Sequence, residues 1–468
     1  MTLSNHKVEQ KEEAGERMKG LYLHEIVNVT GGKLKTKDRT FLVKDAVKRV
    51  RDLNDSTVYF HLYKKRDISL EEFKKYKATV LVTEDADYFM TLLDDVAIIQ
   101  VKDIDEAYWK FVEYYRSLFN IPIIGVTGTC GKTTTKEMIK HILSEQYKVQ
   151  ATYKSWNASR ANLGYLLRID ESTQAAVFEM GVDWPGDLSE SCRYFKPQIR
   201  ILLNIGVYHL VGCKTPENYI KAKSEILDGM DPANDVIILN ADDENIRKID
   251  VSHCEKIVYF GFQDGCHWKA KEVKTVKEGI SFTLTYENRD YEVVVPGLGQ
   301  HNVYNALAAL AAVRYAGVDV EEAIDRLKTF KHLRRRLELR EGPGGCTILD
   351  DNWNNTPPSM EAALRVLKEI AGNKLKVAVL GFMYNLGTSS YAQVQYAKMG
   401  KVAAEVGVDI LVIIGDKPKA IGNKAIECGM DKSNVYFISQ GEAAAKLSPF
   451  LNKNTIVLLK APEDDVAL

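Results

Sequence analysis

A glycine-rich segment near residue 130 has the residue types that bind phosphate. Gly128, Gly131 and Lys132 lie between the apolar run IPIIGV and the periodic segment TTTKEMIKHILSEQ, whose first two residues are Thr133 and Thr134. Glycines let successive backbone N–H groups point towards an anion, the start of a helix adds positive charge, and a lysine reaches the outer phosphates. A threonine hydroxyl at this position binds magnesium. The order of strand, loop and helix predicts a nucleotide phosphate loop of the short GTxGKTT form, in preference to a glycine-rich turn without a ligand.

The elements around this loop repeat the same alternation of strand and helix. Strand-like runs QAAVFEM, IRILLNI and DVIILN follow it, and the alternation returns after the basic segment KHLRRRLELR. Such alternation predicts right-handed βαβ units in mostly parallel sheets. The stretch from Trp268 to Pro296 instead predicts antiparallel strands that extend the central sheet.

Length and alternation together predict an α/β protein of three domains. A chain of 468 residues has room for about three cores of ordinary size. We expect a small N-terminal α/β domain over residues 1–118, with 1–20 disordered, and a central P-loop ATPase domain with a mostly parallel sheet over 119–333. Residues 334–468 are expected to form a smaller Rossmann-like domain.

Composition excludes several classes of protein. Lys and Arg number 63 against 64 Asp and Glu, so the formal net charge is −1 and no global field attracts nucleic acid or an anionic membrane. The chain has no apolar run of about 18 residues, which a membrane-spanning helix would need.

The seven cysteines form no CxxC pair, and we interpret Cys130 as a small side chain in a tight loop, with a reactive thiol as the alternative. We expect a cytoplasmic monomer that neither binds nucleic acid nor inserts into a membrane.

Further motifs follow the phosphate loop in a fixed order. They are VFEMGVDWPGDLSE, NIGVYHLVG, AKSEI, NADD, GQHNVYNALAA, RRRLEL and DDNWNNTPPSM. From about Ile121 to Leu386, and more weakly to the end, this succession resembles the Mur ligase family of ATP-dependent amide-forming enzymes. It is most similar to the members that add D-alanyl-D-alanine to UDP-N-acetylmuramoyl tripeptide. The resemblance implies an N-terminal domain for a nucleotide-sugar acceptor, a central ATPase and a C-terminal domain for the incoming amine.

The resemblance also implies the composition of an ATP site and a metal site. Thr133 and Glu179 would bind a first magnesium ion and His209 a second. Lys223 lies where the family often has a carbamylated lysine, which is an oxygen donor suited to magnesium. The implied catalytic residues are Lys132, Glu179, His209 and Lys223. The implied ATP contacts are Gly128, Thr129, Gly131, Lys132, Thr133, Thr134, His301, Asn302, Asn305, Arg336 and Asp351, and the implied substrate contacts are Asn157, Asn162, Asn354 and Lys460.

Four of these assignments also have a structural interpretation, whereas the position of Glu179 favours a functional one. Glu179 ends a predicted apolar strand, where site residues of parallel sheets are common. His209 alone would more often be a hydrogen-bonded structural histidine, and Lys223 a solvated lysine on a helix. Arg336 lies in a basic run that an exposed linker would also contain. Asp351 is equally suited to capping a turn or a helix.

The sequence departs from the family where acceptor and amine would bind. The family signature DSR is absent from VKDAVKRVRDLNDSTVYFHLYKK, and the last segment, LLKAPEDDVAL, is acidic where a basic stretch is expected. Phe382 and Asn385 stand where two acids are expected, and Tyr396 where a histidine is usual. Loss of two carboxylates changes which ammonium groups can be paired there.

These features lead to one main hypothesis and two alternatives. The main hypothesis is an active ligase that activates a small-molecule carboxylate as an acyl phosphate and joins it to an amino acid or dipeptide, on a non-standard acceptor. The first alternative is the standard D-alanyl-D-alanine-adding enzyme of peptidoglycan synthesis. The second is a nucleotide-binding scaffold that has lost transfer chemistry.

Overall fold

The computed structural model describes residues 18–36, 40–63, 70–76, 79–93 and 95–462. Most of the segment predicted to be disordered, 1–20, therefore lies outside the described residues, as does the acidic end at 463–468. The chain forms two compact units. The first combines residues up to 123 with 147–176 and 190–196, and the second contains 124–146, 177–189 and 197–468. The division into domains at 118 and 333 stays a prediction.

The described residues form strands and helices in alternation. The strands are β1 (Leu21–Tyr22), β2 (Lys33–Leu34), β3 (Leu42–Val43), β4 (Asp45–Val47), β5 (Thr57–Phe60), β6 (Val80–Thr83), β7 (Ala97–Gln100), β8 (Ile123–Thr127), β9 (Val149–Ala151), β10 (Ala175–Glu179), β11 (Ile199–Leu202), β12 (Val236–Asn240), β13 (Ile257–Gly261), β14 (Trp268–Val276), β15 (Gly279–Tyr286), β16 (Arg289–Val295), β17 (Glu338–Glu341), β18 (Thr347–Asp350), β19 (Leu375–Leu380), β20 (Ile410–Ile414), β21 (Val435–Ile438) and β22 (Thr455–Lys460). The α-helices are α1 (Leu23–Thr30), α2 (Leu70–Lys75), α3 (Ala86–Met90), α4 (Ile104–Ser117), α5 (Lys132–Ser144), α6 (Asn162–Leu167), α7 (Asp187–Phe195), α8 (Leu210–Cys213), α9 (Pro216–Ser224), α10 (His301–Tyr315), α11 (Val320–Leu327), α12 (Pro357–Ala371), α13 (Ser390–Glu405), α14 (Lys419–Glu427) and α15 (Ala443–Leu447).

The first unit contains a small sheet of strand order β2–β7–β6–β5–β4. Strands β4 to β7 are parallel to their neighbours and β2 is antiparallel to β7. Its parallel strands are buried and mostly apolar, as the VYF and VLV runs of β5 and β6 are. Strands that are buried on both faces have such continuous apolar runs, because helices cover both sides of a parallel sheet.

The second unit contains the sheet that includes the phosphate loop strand, here called the central sheet. In this unit its strands lie in the order β16–β15–β14–β13–β12–β11–β8–β10. Strands β8, β11, β12 and β13 are parallel, and β14, β15 and β16 continue the sheet as an antiparallel meander. This confirms the prediction that the stretch from Trp268 to Pro296 extends the sheet.

A second sheet in the same unit, here called the C-terminal sheet, has the order β17–β18–β22–β19–β20–β21. All its strands are parallel to their neighbours except the edge strand β17. Val377, Val412 and Leu459 from adjacent strands are buried in one apolar cluster. Both sheets of this unit are therefore mostly parallel α/β sheets, as the alternation of elements predicts.

The helix that follows β18 begins where its sequence requires. Thr356 accepts a hydrogen bond from the backbone N–H of Ser359, and the Ser359 hydroxyl in turn caps the backbone N–H of Thr356. Pro357 occupies the first helical position, where its missing N–H costs nothing. Thr356, Pro357 and Ser359 together fix the start of α12.

No helix within the described ranges is both long enough and apolar enough to cross a lipid bilayer.

Arg200, on strand β11, is a buried structural cation of the central sheet. Its side chain is 1% exposed and donates to the backbone oxygens of Pro197, Ile226 and Asp228 at 2.8–2.9 Å. It also lies 3.3 Å from a carboxylate oxygen of Asp235. Through these hydrogen bonds the buried arginine connects the loop after α9 to the start of β11.

Replacing this cation should destabilise the fold. We expect Arg200→Met to lower the free energy of unfolding by about 3 kcal/mol, because several buried acceptors lose their donor. Urea unfolding followed by circular dichroism would measure the change. The matched control is Arg247→Met, because Arg247 is exposed and donates to one backbone oxygen; a similar loss in both variants would contradict the assignment.

Candidate active site

The phosphate loop is held in shape by the side chain of Asn204. The Asn204 side-chain oxygen accepts hydrogen bonds from the backbone N–H groups of Thr129 and Cys130 at 3.1 and 2.9 Å. Its amide nitrogen donates to the backbone oxygen of Cys130 at 3.1 Å. Because Asn204 follows β11 and the loop follows β8, the two adjacent parallel strands place them together.

Lys132 lies at the first turn of α5 and folds back over this loop. Its Nζ donates to the backbone oxygens of Gly128 and Thr129 at 3.0 and 3.4 Å. Gly131 adopts a φ of 83°, which glycine accepts at little cost. The lysine therefore lies where it can exchange backbone contacts for phosphate oxygens.

The start of α10 packs directly on the phosphate loop. A Cβ atom on Gly131 would lie 2.3 Å from the side-chain oxygen of Asn305, and the Thr135 hydroxyl donates to the same oxygen at 3.3 Å. Asn305 in turn donates to Asn302 at 3.2 Å. The tertiary structure thus brings Asn302 and Asn305 to the loop, although they are about 170 residues away in sequence.

His209 lies in a polar cluster next to the loop. It is the residue before α8, has a φ of 51°, and its Nδ1 lies 3.1 Å from a carboxylate oxygen of Asp183. Burial lowers the pKa of His209, and the hydrogen bond from the histidine lowers the pKa of Asp183. When Nδ1 donates to this carboxylate, Nε2 keeps its lone pair, the form in which histidine binds metals.

Lys223 is buried on α9, so the interpretation as a solvated lysine is wrong. It is 1% exposed, donates to the Thr127 hydroxyl at 3.1 Å and lies over the ring of Tyr219. Burial, and then the charge of Lys132, lower its pKa well below the ordinary value, while the charge of Glu179 opposes the shift. Glu179 itself ends β10 and is 4% exposed.

The C-terminal sheet contributes a second charged cluster at the carboxyl ends of its strands. Lys460, 1% exposed at the end of β22, forms an ion pair with Asp351 and donates to the backbone oxygen of Asn354 at 2.6 Å. Burial raises the pKa of Asp351, and the charges of Lys460 and Arg336 oppose that rise. The guanidinium of Arg336 lies 5.8 Å from the ring centre of Trp353.

Arg336 and His301 are two further predicted ATP contacts whose pKa values are lowered by burial. Burial lowers the pKa of Arg336, and the charges of Glu179 and Asp351 oppose the shift. Burial, followed by the charges of His332 and Lys460, lowers the pKa of His301 to about 4. His301 is therefore neutral near pH 7.

Three contacts place the C-terminal sheet beside the phosphate loop. The sulfur of Cys130 lies 3.1 Å from the Thr356 hydroxyl, the amide of Asn385 lies 3.3 Å from Nδ1 of His209, and a Cβ on Gly206 would lie 2.8 Å from Pro358. Burial raises the pKa of the Cys130 thiol, which disfavours the reactive thiolate and supports its interpretation as a small loop residue.

Two predicted substrate contacts belong to the first unit. Asn162 is buried and donates to the hydroxyl of Ser191 at 2.9 Å. The backbone N–H of Asn157 donates to the backbone oxygen of Ser155 at 3.0 Å. Their roles stay predictions.

Sequence reasoning missed Asn204 and Asp183. Both follow central strands within quoted motifs, Asn204 in NIGVYHLVG and Asp183 in VFEMGVDWPGDLSE. The carboxyl ends of parallel strands meet at one edge of a sheet. Polar residues that directly follow β10 and β11 could therefore have been predicted to lie at this edge.

Comparison with known proteins agrees with this architecture. Residues 126–313 match the Mur ligase middle domain, and residues 335–462 match the Mur ligase, glutamate ligase domain. The chain is 30% identical over 369 residues to UDP-N-acetylmuramoyl-tripeptide–D-alanyl-D-alanine ligase of Bacillus subtilis strain 168, covering 78% of each chain. The chain belongs to the Mur ligase family. It is accordingly an ATP-dependent ligase that forms amide bonds between an acid and an amino acid.

Solved Mur ligases share its fold. Crystal structure I of MurF from Acinetobacter baumannii matches with a TM-score of 0.80 at 24% identity, covering 96% of this chain and 97% of that one. MurF from Thermotoga maritima in complex with ADP matches with a TM-score of 0.73 at 22% identity, covering 89% and 94%. The mostly parallel α/β fold expected from the sequence is thereby confirmed.

A single methyl group should disable the phosphate loop of this Mur ligase. We expect Gly131→Ala to weaken ATP binding by at least about tenfold, because alanine disfavours the positive φ and its Cβ would overlap Asn305. Binding of a fluorescent ATP analogue and the melting temperature would be measured together. Gly164→Ala is the control, because a Cβ there has no neighbour within 4 Å; unchanged ATP affinity in Gly131→Ala would contradict this model of the loop.

Proposed function

We propose that this Mur ligase transfers the γ-phosphoryl group of ATP to a carboxylate acceptor and joins the resulting acyl phosphate to the amine of an amino acid or dipeptide. The observation that carries the proposal is the convergence of Lys132, Glu179, His209 and Lys223 with the start of α10 at one phosphate loop. An amide does not form from a carboxylate and an amine without such activation, and phosphoryl transfer depends on stabilised charge.

In this proposal the cations of the chain act on the phosphates. Lys132 leaves the loop oxygens of Gly128 and Thr129 for the β- and γ-phosphates. Arg336 adds positive charge from the C-terminal side, where the charges of Glu179 and Asp351 favour its charged form. Asp351 and the start of α10 contact the nucleoside, and Lys460 holds Asp351 in position. The same cations stabilise the oxyanion that forms when the amine attacks.

The residues fit magnesium bound jointly with nucleotide. The described residues hold no group of three or more His, Cys, Asp or Glu side chains placed to bind a metal ion by themselves. Magnesium usually takes one or two carboxylates plus substrate phosphates, and Thr133 and Glu179 supply that kind of partial set. His209, with Nε2 available, would contribute to a second ion. Bound magnesium would neutralise charge on the transferring phosphoryl group.

Carbamylation of Lys223 is the second part of the proposal. Its amine is buried beside the Thr127 hydroxyl, next to the charges of Lys132 and Glu179. A carbamate would replace a cation by a carboxylate at this point, which suits an adjacent metal ion.

The acceptor and amine are proposed to differ from those of the standard enzyme. The relative in Escherichia coli K12, 29% identical over 70% of this chain, is also a UDP-N-acetylmuramoyl-tripeptide–D-alanyl-D-alanine ligase, which favours the standard reaction as the second candidate. The missing DSR signature and the residues Phe382, Asn385 and Tyr396 favour a changed substrate.

The location and assembly follow from the same proposal. One copy of the chain carries every residue assigned here, so a monomer suffices. ATP and soluble peptidoglycan precursors occur in the cytoplasm, where we propose that the enzyme acts. We further propose that residues up to 118 bind the acceptor and that residues from 334 bind the amine.

Turnover should distinguish the candidates. We expect phosphate release that depends on ATP, magnesium, a carboxylate acceptor and an amine, and a loss of at least about 100-fold in Glu179→Gln, because the carboxylate is removed from the transfer site. Glu244→Gln, at an exposed glutamate, is the control.

Turnover of UDP-MurNAc-tripeptide with D-Ala-D-Ala would establish the standard reaction. Wild-type protein that binds ATP but turns over no pair in a broad panel would favour the scaffold.

Carbamylation has its own measurement. We expect a carbamate signal from Lys223 when the protein is prepared in ¹³C-bicarbonate and observed by NMR, and no such signal from Lys223→Ala. Activity of Lys223→Ala should be partly restored by small carboxylic acids, which replace the missing oxygen donor. A signal of equal strength in both proteins would exclude Lys223 as the modified residue.

A further inference from the structure

The carboxyl edge of the C-terminal sheet carries an aromatic and cationic cluster that the transfer chemistry does not use. Strands β19 and β20 are parallel neighbours, with Leu380 opposite Ile413. Phe382 follows β19 by two residues and Lys417 follows β20 by three. Ligands of open parallel sheets bind outside these carboxyl ends, so both side chains lie where a ligand of this sheet is expected.

This edge also adjoins the phosphate loop. The Asn355 side chain donates to the backbone oxygen of Phe382 at 3.0 Å, and the next residue, Thr356, contacts the sulfur of Cys130. Three residues after Phe382, Asn385 contacts His209. A molecule on Phe382 is therefore close to the groups assigned to the transferring phosphoryl group.

Lys417 provides a cation that no acid of the described residues neutralises through an ion pair. Its Nζ lies 4.3 Å from the ring centre of Phe382, and the side chain is exposed. The adjacent acid, Asp416, pairs instead with Lys419 at 2.7 Å. The positive charge of Lys417 therefore remains available for an anionic ligand.

The ring beneath this cation belongs to a small apolar surface. Phe382 is half-buried, packs edge-on against Tyr384 at 5.3 Å and is stacked at 6.4 Å with the buried Tyr396. The Tyr396 hydroxyl accepts a hydrogen bond from the backbone N–H of Met383 at 3.0 Å, which fixes the ring. Tyr384 is 63% exposed. A rigid ring and an exposed ring side by side can receive an apolar side chain.

We propose that Lys417 and Phe382 form the specificity site for the incoming amine: Lys417 pairs with the free carboxylate of an amino acid or dipeptide, and Phe382 with Tyr384 packs against its apolar side chain. The inference rests on the proposed function, because it assigns the amine to this edge. The site favours zwitterionic amines over polyamines and neutral amino-acid amides. The attacking amine then points towards His209, and the carboxylate stays at the outer edge.

Binding tests the proposal without requiring turnover. Calorimetry would use the full chain with a non-hydrolysable ATP analogue and magnesium, with D-alanyl-D-alanine, D-alanyl-D-leucine and the C-terminal amides of both as ligands. We expect the wild type to prefer each acid over its amide by about five- to tenfold, as a charge-assisted contact would. Lys417→Ala should bind acid and amide equally. Lys419→Ala, on the same turn, should keep the wild-type preference.

The apolar half of the site is tested separately. We expect Phe382→Leu to lose the preference for D-alanyl-D-leucine over D-alanyl-D-alanine while retaining the preference for acid over amide. In steady-state assays both variants should raise KM for the amine and leave KM for ATP unchanged, which a folding defect would not do.

The outcomes separate this inference from the proposed function. An unchanged acid preference in Lys417→Ala, or no binding of any of these ligands to the wild type, overturns the inference. If ligation proceeds normally in that case, the proposed function stands and the amine binds elsewhere. If the ligands bind as expected but no ligation occurs with any acceptor, the proposed function fails and the binding site remains.

Discussion

The central constraint on this protein is the placement of several cations in a buried position around one phosphate loop. Lys223 and Lys460 are each 1% exposed, and burial lowers the pKa of Lys223 and of Arg336. An unpaired buried charge costs several kcal/mol, so each cation needs a partner within the fold. Lys460 has Asp351, and Arg336 is favoured by the charges of Glu179 and Asp351. In the proposed function, a chain with formal net charge −1 binds the polyanion ATP through this local concentration of charge.

Two parallel sheets make such a concentration attainable. Parallel strands end at the same edge, so residues far apart in sequence meet there without long loops. The central sheet brings the phosphate loop, Asn204 and Glu179 to its edge, and the C-terminal sheet brings Asp351 and Lys460 to its own. The capped start of α12 then lies against Cys130. Each sheet supplies one part of the charge, and the proposed reaction uses both parts.

There is a physical reason why the sequence departs from the family motifs at the predicted acceptor and amine sites and not at the phosphate loop. Phosphate binding depends on backbone geometry and fixed charges, so Gly131 and Lys132 leave little freedom for substitution. Recognition of an amine depends on exposed side chains such as Tyr384 and Lys417, which can change without disturbing the strands beneath them. The ATP-binding residues of a Mur ligase are consequently easier to predict from sequence than the residues that recognise the amine.

The sequence by itself determined the alternation of elements, the mostly parallel sheets, the antiparallel extension from Trp268 to Pro296 and the phosphate loop, because these depend on local periodicity and on glycine. Tertiary structure alone decided that Lys223 is buried, that Asn204 braces the loop and that Asn305 limits Gly131 to glycine. It also decided that Lys417 lies over Phe382. These facts depend on contacts between residues that are distant in the chain, and the period of a single segment carries no information about which distant side chain will face it.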